Sequence, residues 1–250
     1  MPLVDSWPML AATAGAYVLA GFVKGVIGLG LPTVAIGLLG LLMTPAQAAA
    51  ILIGPSMVTN VWQGLAGGGV LALARRMWPL LTGICIGTFL GAVYLPSGSS
   101  AGATVWLGVA LVIYAGLGLI NIEFKVPPRS ETWLGVLAGI ATGAITVATG
   151  IFALPGVPYI HALGFDRHKL VQALGISFTV STITLAIALG YAGEMRMSLA
   201  WPAAVAFCAA AIGMGLGQAV RHKVKAETFR LCFFIGILAL GTHLALRGLL

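Results

Sequence analysis

One lysine, Lys24, stands in the apolar stretch "AGFVKGVIGLGLPTVAIG" (residues 20–37). A charge deep in a membrane-type segment is costly and usually functional. One helical turn later come Gly28 and Gly30, then Pro32, a sequence that ends one helix and opens another. A helix start presents unpaired N–H groups and a partial positive charge, and glycine lets a ligand approach the backbone. The device recurs at Gly150 and Pro155, with Thr149 beside the break as Thr33 is beside the first. Such a set can hold an anion. N–H groups near Gly28, Gly30 and Gly150 would cradle it, Thr33 and Thr149 would add hydroxyl donors, and Lys24 would offset its charge. Two plainer readings stay open: glycine and proline also kink packed helices, and a lysine stem can snorkel to an interface.

Other polar residues inside apolar segments extend this set. Ser56, Thr59, Asn60 and Gln63 share one helical face of "GPSMVTNVWQG" (54–64). A counterpart, "QALGISFTVSTIT" (172–184), carries Gln172, Ser177, Thr179, Ser181, Thr182 and Thr184. In hydrocarbon these must face protein or a wet cavity, so Asn60, Gln63, Gln172 and Ser177 are expected to line a path. Interhelical hydrogen bonds alone also account for such residues. Glycines at every fourth position of "GICIGTFLG" (83–91) form a flat groove for another helix. His161 reads as a satisfied histidine rather than a proton carrier. Cys85, Cys208 and Cys232 lack paired spacing and are expected to be buried packing residues, not disulfides or metal ligands. Asp5, Glu123, Glu131, Asp166, Glu194 and Glu227 all read as loop or end residues, which argues against cation transport and hydrolysis. No catalytic residue, metal site or cofactor is expected.

The elements that must position these residues follow from composition. The 250 residues are 60% hydrophobic and only 8% charged, against about 25% charged in a soluble domain. Mean hydropathy is +1.06. No soluble fold of this size hides so much apolar surface, so the bilayer must be the solvent. The N-terminus lacks a basic region and a cleavage site, so the first apolar segment is expected to stay as a span. Apolar segments fall at 8–29, 32–43, 46–66, 78–95, 103–121, 133–152, 154–163, 169–191, 199–219 and 228–248. Most are long enough to cross a core of about 30 Å; 32–43 and 154–163 are short. The order long, short, long, long, long occurs twice.

That predicts an internal repeat, about 8–122 and 133–248, joined by a linker at about 122–132 within one transmembrane domain, 1–250. "AGFVKG" (20–25) echoes "AGIATG" (138–143), and Trp78-Pro79 and Trp201-Pro202 are each expected to open a segment. Arg75, Arg76, Lys125, Arg129, Arg167, Lys169, Arg221, Lys223, Lys225 and Arg230 fall on one side if each long-plus-short pair enters and leaves by the same face. That side is then cytoplasmic, the halves have opposite topology, and both termini lie outside. The expected fold is an all-α integral membrane protein, a polytopic helical bundle of two inverted-topology repeats, each with a broken helix pair, about 8–10 membrane segments. Inverted repeats with broken helices are the architecture of many secondary transporters.

"GFVKGVIGLGLP" (21–32), "TPAQAAAILIGPSMVTN" (44–60) and "GVLAGIATGAITVATGIFALP" (135–155) resemble the sulfite exporter TauE/SafE family, also called the toluene sulfonate uptake permease family. The resemblance covers nearly the whole chain. It matches Gly21, Gly25, Gly28 and Gly30 to the family's first Gly-rich stretch, and Gly139, Gly143 and Gly150 to the second. It implies a secondary transporter of sulfite or an organosulfonate in a bacterial inner membrane. The expected partners are that small anion, membrane lipids, a coupling proton and a second copy of the chain as a homodimer. Nucleic acid is not among them, despite the net charge of +7. Alternatives are a carrier of another small acid, such as a carboxylate, and a non-transporting membrane subunit.

Overall fold

A computed structural model describes residues 6–95, 102–120 and 125–247. Asp5, Glu123 and the first part of the linker lie outside the described residues. Within them the regular structure is helical: α1 (Trp7–Ile27), α2 (Leu31–Leu39), α3 (Pro45–Leu65), α4 (Val70–Tyr94), α5 (Ala103–Ile120), α6 (Glu131–Thr149), α7 (Gly156–Ala162), α8 (Arg167–Tyr191), α9 (Ala200–Val220) and α10 (Ala226–Arg247). Seven of these, α1, α4, α5, α6, α8, α9 and α10, are long and apolar enough to cross a membrane. The protein is a multi-pass, all-helical membrane protein, with α2 and α7 as its two short elements.

Local chemistry sets the ends. Thr44 and Gln47 form a reciprocal capping box at the start of α3. The Asp166 side chain accepts from the Lys169 N–H and caps α8; that N–H holds the carboxyl below the usual carboxylate range. One expected boundary is wrong. The fourth helix begins at Val70 rather than near residue 78, so Arg75, Arg76 and Pro79 lie inside it. The apolar layer is shorter than the helix. Trp78 is exposed and fits the interface level where tryptophan collects, while the preceding two turns continue beyond it. There Arg76 pairs with Glu131 at 2.6 Å, donates to the Leu163 carbonyl and lies over the Phe165 ring. It thus ties α4 to α6 and to the α7–α8 connection. Cys208 and Cys232, expected to be buried, are instead exposed.

Glycine builds the closest helix pairs. A Cβ on Gly21 would strike the Ala210 carbonyl, and one on Gly25 the Met214 carbonyl, so α1 and α9 touch backbone to backbone and run parallel. Gly139 and Gly143 do the same against Leu80 and Ile84, making α6 and α4 parallel. Gly83, Gly87 and Gly91 form the expected groove, filled by α6 from Val136 to Ala144. By contrast α3 and α8 run antiparallel, with Asn60 beside Thr182 and Gly64 beside Gly175. So do α5 and α10, with Gly108 beside Ala245 and Gly118 beside Phe234. Exchanging each helix for the one five places on leaves these pairings unchanged: α1–α9 becomes α6–α4, while α3–α8 and α5–α10 map onto themselves. Equivalent helices that lie antiparallel are what an inverted repeat requires.

Gly87→Ala would place a methyl group in the Ile140 backbone and should cost about 1–3 kcal/mol. Gly54→Ala, in a helical position open to that methyl group, should be neutral or stabilising by up to about 1 kcal/mol. Thermal unfolding in detergent compares the two.

Candidate functional site

The first break is made by two left-handed glycines. Gly28 (φ 82°) ends α1, its N–H bonded to the Lys24 carbonyl, and Gly30 (φ 100°) precedes the first turn of α2. Residues with a Cβ disfavour this conformation. Pro32 sits in the first turn of α2, where its missing N–H costs nothing. Thr33 is buried in that same turn.

One turn back on α1, Lys24 is only 5% exposed. Its stem does not snorkel. The ammonium donates to Thr59 Oγ1 at 3.0 Å and to Asn60 Oδ1, both on α3. Thr59 passes its own proton to the Pro55 carbonyl. Asn60 Nδ2 donates to Thr182 Oγ1 on α8 at 3.4 Å, so one chain of bonds runs α1–α3–α8. Among the described residues no carboxylate pairs with Lys24; the ion pairs are Arg76–Glu131 and Lys169–Asp166. Two hydroxyls on the crossing helices α3 and α8, Ser56 Oγ and Ser181 Oγ, are fully buried with no hydrogen-bond partner among the described residues. Ser56 is one turn from Asn60 on the same face of α3, and Ser181 adjoins Thr182. Tyr17, two turns before Lys24 on α1, also has a buried hydroxyl without a partner.

The glutamines stitch helices together. Gln63 Nε2 donates to the Gly28 carbonyl at 3.1 Å and to the Val171 carbonyl at 2.9 Å. Gln172 Nε2 donates to the Gly64 carbonyl at 3.1 Å. Both amides therefore serve the α3–α8 crossing, and Gln63 also fastens the first break to it. Ser177 is buried on α8, one turn before Ser181.

The second break is arranged differently. Gly150 (φ 77°) ends α6, but a Cβ there would meet Ile36 and Ala49. Ala49 and Asn60 are separated by roughly 16 Å along α3 at 1.5 Å per residue. The Thr149 hydroxyl donates to the Ile145 carbonyl and accepts from the Ile151 N–H, so it closes the helix end. Thr149 and Gly150 are thus not brought to the Lys24 cluster. Gly156, at the start of α7, packs against α6: a Cβ there would lie 3.0 Å from Thr142 Oγ1. Thr142 precedes Gly143 as Lys24 precedes Gly25, so a buried threonine stands in the second half where the first has lysine. Ser56, Thr59, Ser181 and Thr182 belong to the two polar stripes, yet sequence alone does not set them apart. The lysine-to-threonine exchange in the echo "AGFVKG"/"AGIATG" is the signal that points to Thr142.

Compared with known proteins, residues 13–244 match the family model described as TauE, sulfite exporter TauE/SafE. No curated protein and no solved structure matches the chain.

Gln63→Leu leaves the part-buried Gly28 and Val171 carbonyls without this donor and should destabilise the protein by about 1–3 kcal/mol. Ser181→Ala removes a hydroxyl with no protein partner and should leave stability within about 0.5 kcal/mol. Thermal melts of the two purified variants test this contrast.

Proposed function

The chain belongs to the sulfite exporter TauE/SafE family, and from that premise we propose that it is a secondary transporter of a small sulfur-containing anion. The anion is sulfite or an organosulfonate, carried by alternating access. One observation carries this reading: a lysine amino group buried between neutral acceptors, with no carboxylate among the described residues to match a charge on it. A buried charge needs a counter-charge, and a carried anion supplies one. The Ser56 and Ser181 hydroxyls, on the two helices whose Asn60–Thr182 contact continues the Lys24 network, have donors to spare. Three donors, from α1, α3 and α8, suit the three oxygens of a sulfonate better than the two of a carboxylate.

In this reading Lys24 neutralises the anion, and Asn60, Gln63, Gln172 and Ser177 line its way through the α3–α8 crossing. Gly28, Gly30 and Thr33 bring the start of α2 toward it. Thr149 and Gly150 act at a distance, by shaping the return of the chain to Gly156. The repeats at about 8–122 and 133–248 form two inverted halves that rock about the crossing, so the cluster opens first to one face and then to the other. The linker faces the cytoplasm, the termini lie outside, and the membrane is the bacterial inner membrane. Energy comes from an ion gradient or the membrane potential.

The test is the melting temperature of the purified protein with sulfite, sulfate, thiosulfate, sulfoacetate, an aromatic sulfonate, acetate and phosphate. A ligand at about 100 times its Kd stabilises the folded state by about 2.7 kcal/mol. The sulfur anions should raise the melting point, and Lys24→Met should abolish the rise while the protein stays folded. A rise with acetate alone would replace the substrate class. No rise with any anion, and no flux in liposomes, would reject the carrier reading.

A further inference from the structure

We propose that Lys24 carries a proton together with the anion, as an amine when no anion is bound and as an ammonium when one is. This rests on the anion-carrier reading above and adds the coupling ion and its place of attachment.

The hydrogen-bond arithmetic at Nζ supports it. Lys24 has two acceptors, Thr59 Oγ1 and Asn60 Oδ1. Thr59 has committed its hydroxyl proton to the Pro55 carbonyl, and Asn60 has turned its amide N–H toward Thr182. Both therefore serve Lys24 as neutral acceptors, and neither offers a counter-charge. A neutral amine has two N–H groups, which satisfy both acceptors. An ammonium has three, and the third has no acceptor among the described residues. The network thus survives loss of the proton intact, and the third N–H finds a partner when an anion stands beside it.

The surroundings leave no other group to take this part. On α1 the only other titratable side chain is Tyr17, and α2 and α3 have none. On α9 there is only Cys208, which is exposed. Arg167, His168, Lys169 and Tyr191 on α8 are all exposed, at the two ends of that helix. On α10, Glu227, Arg230, Cys232, His243 and Arg247 are exposed as well. An unmatched ammonium in a dry site is costly, and shedding its proton relieves that cost. The amine so formed has no charge with which to hold an anion. Proton and anion binding are therefore linked, and each strengthens the other by the same factor.

The step balances. A proton from the open face binds the amine lone pair, and an N–H bond forms as the anion binds. On the far face that N–H bond breaks, and the proton leaves with the anion. For a monoanion the loaded site is neutral, so the pair crosses without net charge and a proton gradient drives the anion in the same direction.

The decisive measurement is proton uptake by the wild-type protein on binding methanesulfonate, benzenesulfonate or acetate, which stay ionised between about pH 6 and about pH 9. It is read with a pH indicator in weakly buffered detergent solution. Toward the alkaline end the expected result approaches one proton taken up per anion, with affinity falling about tenfold per pH unit. In liposomes, flux should follow a pH gradient and ignore an imposed membrane potential. Lys24→Arg, permanently charged, should bind without proton uptake and lose the response to the pH gradient. Binding of any of these anions with no proton uptake and constant affinity across that range would overturn the inference and leave the anion carrier standing. No binding of any of them at any pH would overturn the inference, and the melting panel with sulfite, together with liposome flux, would then decide the carrier reading separately.

Discussion

In hydrocarbon a buried polar group finds its partner within the protein or goes without. The most demanding such group here is the Lys24 ammonium, and the centre of the bundle is organised around it. Lys24 reaches from α1 to Thr59 and Asn60 on α3, and Asn60 continues to Thr182 on α8. Gln63, one turn further along α3, holds the carbonyl of the glycine that ends α1. The first break, the lysine and the α3–α8 crossing are therefore one assembly. Moving α1 relative to α3 means remaking these bonds.

Around that assembly the glycine contacts form a closely packed frame. The α1–α9 and α4–α6 pairs touch backbone to backbone, which gains dispersion contact where no hydrophobic drive separates helix from lipid. Each pair joins one half of the chain to the other. The frame is the same in both halves, yet its contents differ: lysine at 24, threonine at 142. One half thus contributes charge and the other only hydroxyls. That asymmetry makes a single charged site instead of two, placed beside the Asn60–Thr182 contact where equivalent helices of the two halves meet.

Much of this is legible in one sequence. The ten apolar segments correspond to the ten helices because the bilayer imposes both length and apolarity on a span, and Gly28, Gly30 and Gly150 mark their breaks because only left-handed backbone fits there. The fourth segment is misjudged where hydropathy fails, since Val70–Met77 extends helix beyond the apolar layer and Arg76 there is satisfied by Glu131, Leu163 and Phe165. The polar stripes on α3 and α8 are visible as stripes. Which of their members meet Lys24 is not, because the helical period says what shares a face and nothing about which residue lies opposite on another helix.

Sequence by itself determined that this chain lives in a membrane, that it is helical, where its helices break and that one cation is left inside. These follow from hydropathy, length and backbone sterics, which act over a few residues at a time. Tertiary structure alone decided that the cation rests on Thr59 and Asn60 without an acid, and that Ser56 on α3 and Ser181 on α8 stay unpartnered among the described residues. Those facts depend on the register of helices far apart in the chain, and that register is set by how glycine surfaces fit together in space.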